Sequence, residues 1–128
     1  MTERHKTPIG EMWFEDGILF HRVDSADTIT GDDAHAVVSI VSEITGGQPT
    51  PAIIDIRSIG FASKEARQGF AGSPDSSHET ATALVVASSS SRVMAKAFLK
   101  LSKPERPIGV FTDVAKAREW VEQYRSDV

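Results

Sequence analysis

Pro51-Ala52-Ile53-Ile54-Asp55-Ile56-Arg57-Ser58-Ile59-Gly60-Phe61-Ala62-Ser63-Lys64-Glu65-Ala66-Arg67 decides the fold. Ala52 to Ile56 reads as a short strand, apolar enough to be covered by helices on both faces. Asp55 then falls at the strand end, residues around Gly60 form a loop, and a short helix opens at Ser63 and runs to about Phe70. The backbone is expected to turn sharply after Ile56 and to leave Ser58 through Arg67 on the outside. Such a strand-to-helix corner frees backbone N–H groups, and open α/β sheets commonly place their sites there.

Upstream, Glu11–Glu15 and Ile18–Arg22 flank Asp16-Gly17, a pair suited to a two-residue type I′ hairpin turn. That register sets Trp13 opposite Phe20 and Glu11 opposite Arg22, an aromatic pair and a charge pair. Between hairpin and strand, Val37, Val38, Val41 and Ile44 make one apolar stripe on a helix from about Asp32 to Thr45. Thr30 or Asp32 can cap its start, and Gly46-Gly47 ends it. Downstream, residues 72–80 read as a polar loop, and Ala81 to Ala87 as a second buried strand. Ser88 to Ser91 lead into a helix carrying Val93, Met94, Ala97, Phe98 and Leu101. Ile108 to Phe111 is the last strand. Thr112 or Asp113 caps a final helix whose seam is Val114, Ala117, Val121 and Tyr124.

The order is β-β-α-β-α-β-α-β-α: an α/β fold with a mixed, mostly parallel five-stranded sheet, an antiparallel hairpin at its amino-terminal edge and four helices. The 128 residues suit one domain. Residues 1–9 are expected to be a flexible amino-terminal segment.

This order resembles the STAS domains, the family of sporulation anti-sigma factor antagonists, over roughly residues 10–125. The local anchor is Ile54-Asp55-Ile56 followed by Ile59-x-Phe61. The chain is also similar to uncharacterised bacterial proteins grouped with STAS and Sec14-type domains. That likeness lies in Ser63–Arg67, in Ser91-Arg92-Val93, and in Phe111-Thr112-Asp113 through Glu119-Trp120. The resemblance implies a SpoIIAA-like fold and a non-enzymatic regulatory or protein-interaction module. Signalling members carry Asp-Ser-Ser-Gly at the corner, whereas this chain has Ser63, Lys64, Glu65 and Ala66. Glu65 fills the second hydroxyl position and cannot accept phosphate, which counts against a phospho-switch and leaves the scaffold.

The formal net charge of −4 argues against a dedicated nucleic-acid binder. With no cysteine, disulfides, thiolate metal sites and thiol catalysis are excluded. No apolar run approaches the roughly 20 residues that cross a bilayer. The polar start, Met1 to Lys6, lacks a secretion signal, so a cytoplasmic address is expected.

The residue chemistry points to binding more than to reaction. His5, His21, His35 and His78 lie on different elements without metal-ligand spacing, and Asp24, Asp27, Asp32 and Asp33 lack a calcium-loop pattern. No Gly-x-Ser-x-Gly nucleophile elbow is present. Asp55 is placed for a general base but has no partner carboxylate or histidine that would define a reaction. No catalytic residue, metal or cofactor is therefore expected.

The candidate working surface is Ser58, Ser63, Lys64, Glu65 and Arg67. Ser63 would be a hydrogen-bonding group or a helix cap, Glu65 a fixed charge, and Lys64 and Arg67 a charged rim for a protein partner. Ser90, Ser91 and Arg92 form a candidate anion contact. Arg92, Lys96 and Lys100 line one helix side, with Lys103 and Arg106 as extensions. They read as a solvated face or as a docking surface for an acidic partner or lipid headgroup. The alternative is a binder of a small apolar or anionic ligand, with its cavity between sheet and helices. Self-association through the hairpin edge is the remaining expectation.

Overall fold

A computed structural model describes residues 3–71, 79–87, 89–101 and 106–125. Six strands form one sheet in sequential order. They are β1 (Arg4–Thr7), β2 (Gly10–Glu15), β3 (Ile18–Ile29), β4 (Thr50–Ala62), β5 (Glu79–Val85) and β6 (Ile108–Phe111). The first two junctions are antiparallel and the other three parallel. The described helices are α1 (Gly31–Thr45), α2 (Lys64–Ala71), α3 (Ser89–Leu101) and α4 (Val114–Val121), followed by a 3-10 turn at Glu122–Tyr124. The sheet is mixed and mostly parallel, as expected, with six strands in place of five.

The hairpin forms in the expected register. Asp16 and Gly17 take φ of 53° and 77°, the left-handed pair a type I′ turn requires. Trp13 pairs with Phe20 and Glu11 with Arg22. The two rings stack at 5.5 Å, 2° from parallel. Helix α1 opens on a reciprocal capping box between Thr30 and Asp33 and ends at Gly46 in the left-handed conformation, which closes both ends of the Val37/Val41 stripe.

Three expectations are corrected. The amino-terminal segment includes a strand: Arg4 pairs with Trp13, its guanidinium lies 4.0 Å over the indole, and Ile9 is buried. The backbone does not turn after Ile56. Strand β4 continues to Ala62 because β3 also runs on, giving Asp24↔Ser58, Ser25↔Ile59, Thr28↔Phe61 and Ile29↔Ala62 as pairs across two register shifts. Asp55 is thus a mid-strand residue. Finally, Glu79 and Thr80 belong to β5, while residues 72–78 of the expected loop lie outside the described residues.

Strands added one after another in the same direction through right-handed crossovers put every crossover helix on the same face. Helices α1, α2 and α3 accordingly share a core with Met12, Leu19, Val23, Ala52, Ile56 and Leu84. Helix α4 follows the last strand and covers the other face, where Ala117 and Val121 pack on Ile18, Phe20, Ile53, Ala83 and Val85. Gly69 is the close-approach residue of the first layer. A Cβ there would stand 2.9 Å from the Ala34 Cβ, so glycine lets α2 lie against α1.

Candidate ligand cavity

Between the sheet and α1–α3 lies a cavity of about 80 Å³, room for several waters or a short hydrocarbon chain. Leu19, Val23, Ala52, Ile54 and Leu84 contribute from the strands, Val37 and Val41 from α1, Phe70 from α2, and Met94 and Phe98 from α3. Alternation along each strand puts these side chains on one face, and the α1 and α3 stripes close over them. The polar residues of the wall are His21, Thr82, Arg67 and Arg106, with no acidic residue among the described lining.

The two arginines differ. Arg106 is satisfied: its Nε donates to Thr82 Oγ1 at 2.7 Å and an Nη donates to the Phe70 carbonyl at 3.0 Å. These bonds tie the start of β6 to β5 and to the end of α2. Arg67 is satisfied less completely. Its Nε is buried and has no hydrogen-bond partner among the described residues, and the same holds for Thr80 Oγ1. Thr80 lies two residues before Thr82, within a register shift of β5 against β4, and is not part of the cavity lining. An orphaned buried donor on a guanidinium carries a desolvation cost of about 1–3 kcal/mol or more, which an anionic acceptor would relieve.

His21 is a buried wall residue, 3% exposed. Its Nε2 is 3.1 Å from Thr7 Oγ1, and that hydroxyl also accepts from the Ile9 N–H at 3.2 Å. Burial lowers its pKa to about 4, so the ring is neutral at pH 7 and the cavity's positive charge comes from the arginines alone.

The five corner residues do not make one surface. Ser63 Oγ accepts from the Ala66 N–H at 3.1 Å and is the amino-terminal cap of α2. Lys64 and Glu65 are exposed. Arg67, on the next turn, lines the cavity. Ser58 lines a separate polar hollow with Arg22, Asp24, Asp55 and Arg57. There Arg57 grips Asp55 through Nε and Nη at 2.9 and 2.7 Å. Burial would push the Asp55 carboxyl up, yet the hydrogen bonds and charge of Arg57 carry it below its ordinary value. A carboxylate so stabilised is a weak proton acceptor at neutral pH.

At the second candidate position, Ser91 is fully buried and its Oγ accepts from the Ala87 N–H at 2.9 Å. Arg92 is exposed. The Ser90 side chain, and Ser88, Lys103 and His78, lie outside the described residues. Arg106, read from sequence as an extension of the basic helix side, instead turns inward to Thr82 and Phe70. Among the described residues no cluster of histidine and acidic side chains could hold a metal, and no helix is long and apolar enough to cross a membrane.

The cavity was legible only as a class of site. The signal for Arg67 was present: it sits three residues before Phe70, a spacing that puts the two on one side of a helix.

A family model described as a domain of unknown function, DUF7793, matches residues 12–125. The chain belongs to that family. Among solved structures it is similar to an uncharacterised protein of the DUF3478 family from Shewanella loihica PV-4, which has a SpoIIAA-like fold. The TM-score is 0.53 at 13% identity, with 94% of this chain and 91% of the other covered. The DUF7793 chain thus has the SpoIIAA-like fold that its sequence resemblance implied. No curated protein sequence matches it.

Proposed function

We propose that this protein is a non-enzymatic binding module for a small amphiphile, an apolar chain carrying a compact anionic head such as a carboxylate. The observation that carries this reading is the buried Nε of Arg67, unpartnered among the described residues, in the wall of a mostly apolar cavity. The apolar chain would lie against Leu19, Val41, Leu84 and Phe98, and the head would accept from Arg67 Nε. Arg106, held by Thr82 and Phe70, adds positive potential without having to move. A charge-assisted bond formed out of water is worth more than its exposed counterpart.

Native mass spectrometry of the purified chain and thermal melting test this. A co-purified amphiphilic anion is expected. Added octanoate should raise the melting temperature, since a ligand at 100 times its Kd stabilises the folded state by about 2.7 kcal/mol. An unchanged melting curve with octanoate, together with a ligand-free mass, would refute the reading.

A second reading keeps the exposed corner as a contact for a protein partner, the role the STAS resemblance implies. It is favoured by the exposure of Lys64 and Glu65 at the start of α2, beside the capped Ser63. Pull-down with a Lys64→Glu/Glu65→Lys variant tests it: identical protein recovery would remove the corner. Both readings carry the cytoplasmic address with them.

A further inference from the structure

The outer side of α3 is built differently from the side that faces the sheet. Ser91, Met94, Ala95 and Phe98 are buried, and the last three line the cavity. At 100° per residue, Arg92, Lys96 and Lys100 fall together on the opposite side, spanning about 12 Å of helix. All three are exposed. Among the described residues no acid pairs with any of them, although ion pairs elsewhere engage Arg4, Arg22, Arg57, Arg118 and Arg125. Val93 and Leu99 flank this basic row on its two shoulders and are 57% and 37% exposed.

We propose that this side of α3 docks the protein on an anionic phospholipid surface. Cations alone would suit any polyanion. The two aliphatic shoulders suit a surface charged outside and apolar beneath, where short hydrocarbon side chains enter the headgroup boundary while lysine and arginine meet phosphates. The chain as a whole carries a formal charge of −4, so attraction to a negative surface has to be local, and the long-range field orients this side toward it. Docked this way, the helix has bilayer on its outer side and cavity on its inner side. The inference goes beyond the cavity reading, since it needs only the outer residues.

The test is co-sedimentation of the full chain with vesicles of phosphatidylglycerol and phosphatidylcholine against vesicles of phosphatidylcholine alone. Binding is expected only to the anionic vesicles. It should fall as salt rises from about 50 to about 500 mM, because exposed charges are screened. The variant Arg92→Glu/Lys96→Glu/Lys100→Glu should bind roughly 100-fold more weakly, given the contribution of each basic residue near an anionic surface. Val93→Ser/Leu99→Ser should bind several-fold more weakly at the same charge. All five residues are exposed, so both variants should melt as the parent chain does. They should also bind octanoate normally in vesicle-free solution, which separates failure here from failure of the cavity reading. No sedimentation with anionic vesicles at low salt would overturn the proposal, and so would undiminished binding by the charge-reversal variant. Undiminished binding by the Val93/Leu99 variant would also overturn it, leaving a surface for polyanions of another kind.

Discussion

The two faces of the sheet bury apolar side chains to opposite ends. One helix, α4, covers one face, and beneath it the described apolar residues pack closely, with the polar hollow of Asp55 and Arg57 farther along the strands. Ala83 and Ala117, both fully buried, let α4 approach Ile53 and Val85. Trp13 stacks on Phe20, and Arg118 pairs with Glu15 at 3.2 Å beside them. Three helices cover the other face, yet a cavity remains beneath them, and its wall holds a guanidinium nitrogen without a partner among the described residues. The amount of cover does not determine how densely a layer packs. Close packing comes from small residues where elements meet and from every polar group having a partner. The cavity side keeps the first rule where Gly69 meets Ala34 and departs from the second at Arg67 and Thr80, and sites of function are where such departures concentrate.

The largest expected effect on this contrast is titration of His21. Its folded pKa of about 4 lies below the unfolded value of about 6.5. Between those values the unfolded chain binds the extra proton, so stability is complete above pH 6.5 and falls as the pH drops toward 4. The loss amounts to about 3 kcal/mol at most. In His21→Gln, which can still reach Thr7, urea unfolding should show a correspondingly flatter acid limb.

Next comes a matched pair of enlargements. Ala83→Leu on the α4 face should cost about 2 kcal/mol, as overpacking does. Ala52→Leu extends into the cavity, so it should change stability by less than about 1 kcal/mol and abolish octanoate binding. Equal costs at the two sites would erase the distinction between the faces.

Smaller is Arg67→Leu, which removes the orphaned donor. It should leave stability unchanged or raise it by about 1 kcal/mol, measured by chemical unfolding, while weakening anionic ligands. The least effect belongs to Arg4→Ala on the α4 face. It loses a half-exposed contact over Trp13 and an exposed ion pair with Glu11, for about 0.5 kcal/mol. A loss of several kcal/mol there would show that β1 holds that face together.

What the sequence disclosed followed the range of the interactions. Asp16-Gly17 fixed the hairpin and its Trp13–Phe20 register because a two-residue turn dictates pairing locally. The strands over Ala52–Ile56 and Ile108–Phe111 and the α1 stripe were equally plain from apolar patterning. Strand β1 was hidden because four alternating polar residues carry no strand signal alone; their partners, Trp13 and Glu11, lie up to nine residues away. The extension of β4 past Ile56 was hidden for the same reason. Ser58 and Gly60 look like loop residues until Asp24 through Ile29 are known to run alongside them. Sequence alone makes Arg67 a charged rim, since arginines mostly lie outside. Its inward direction depends on where α2 sits against α1, which Gly69 and Ala34 decide across 35 residues of chain.

Calorimetric titration at pH 7 with octanoate and with octanol, on the parent chain and on Arg67→Leu, addresses the anionic-head reading most directly. The account predicts that octanoate binds the parent chain and that the substitution weakens it at least tenfold, the worth of a charge-assisted bond of about 1.5 kcal/mol or more, while octanol is not weakened. Octanoate failing to bind, or binding both chains equally well, would contradict it.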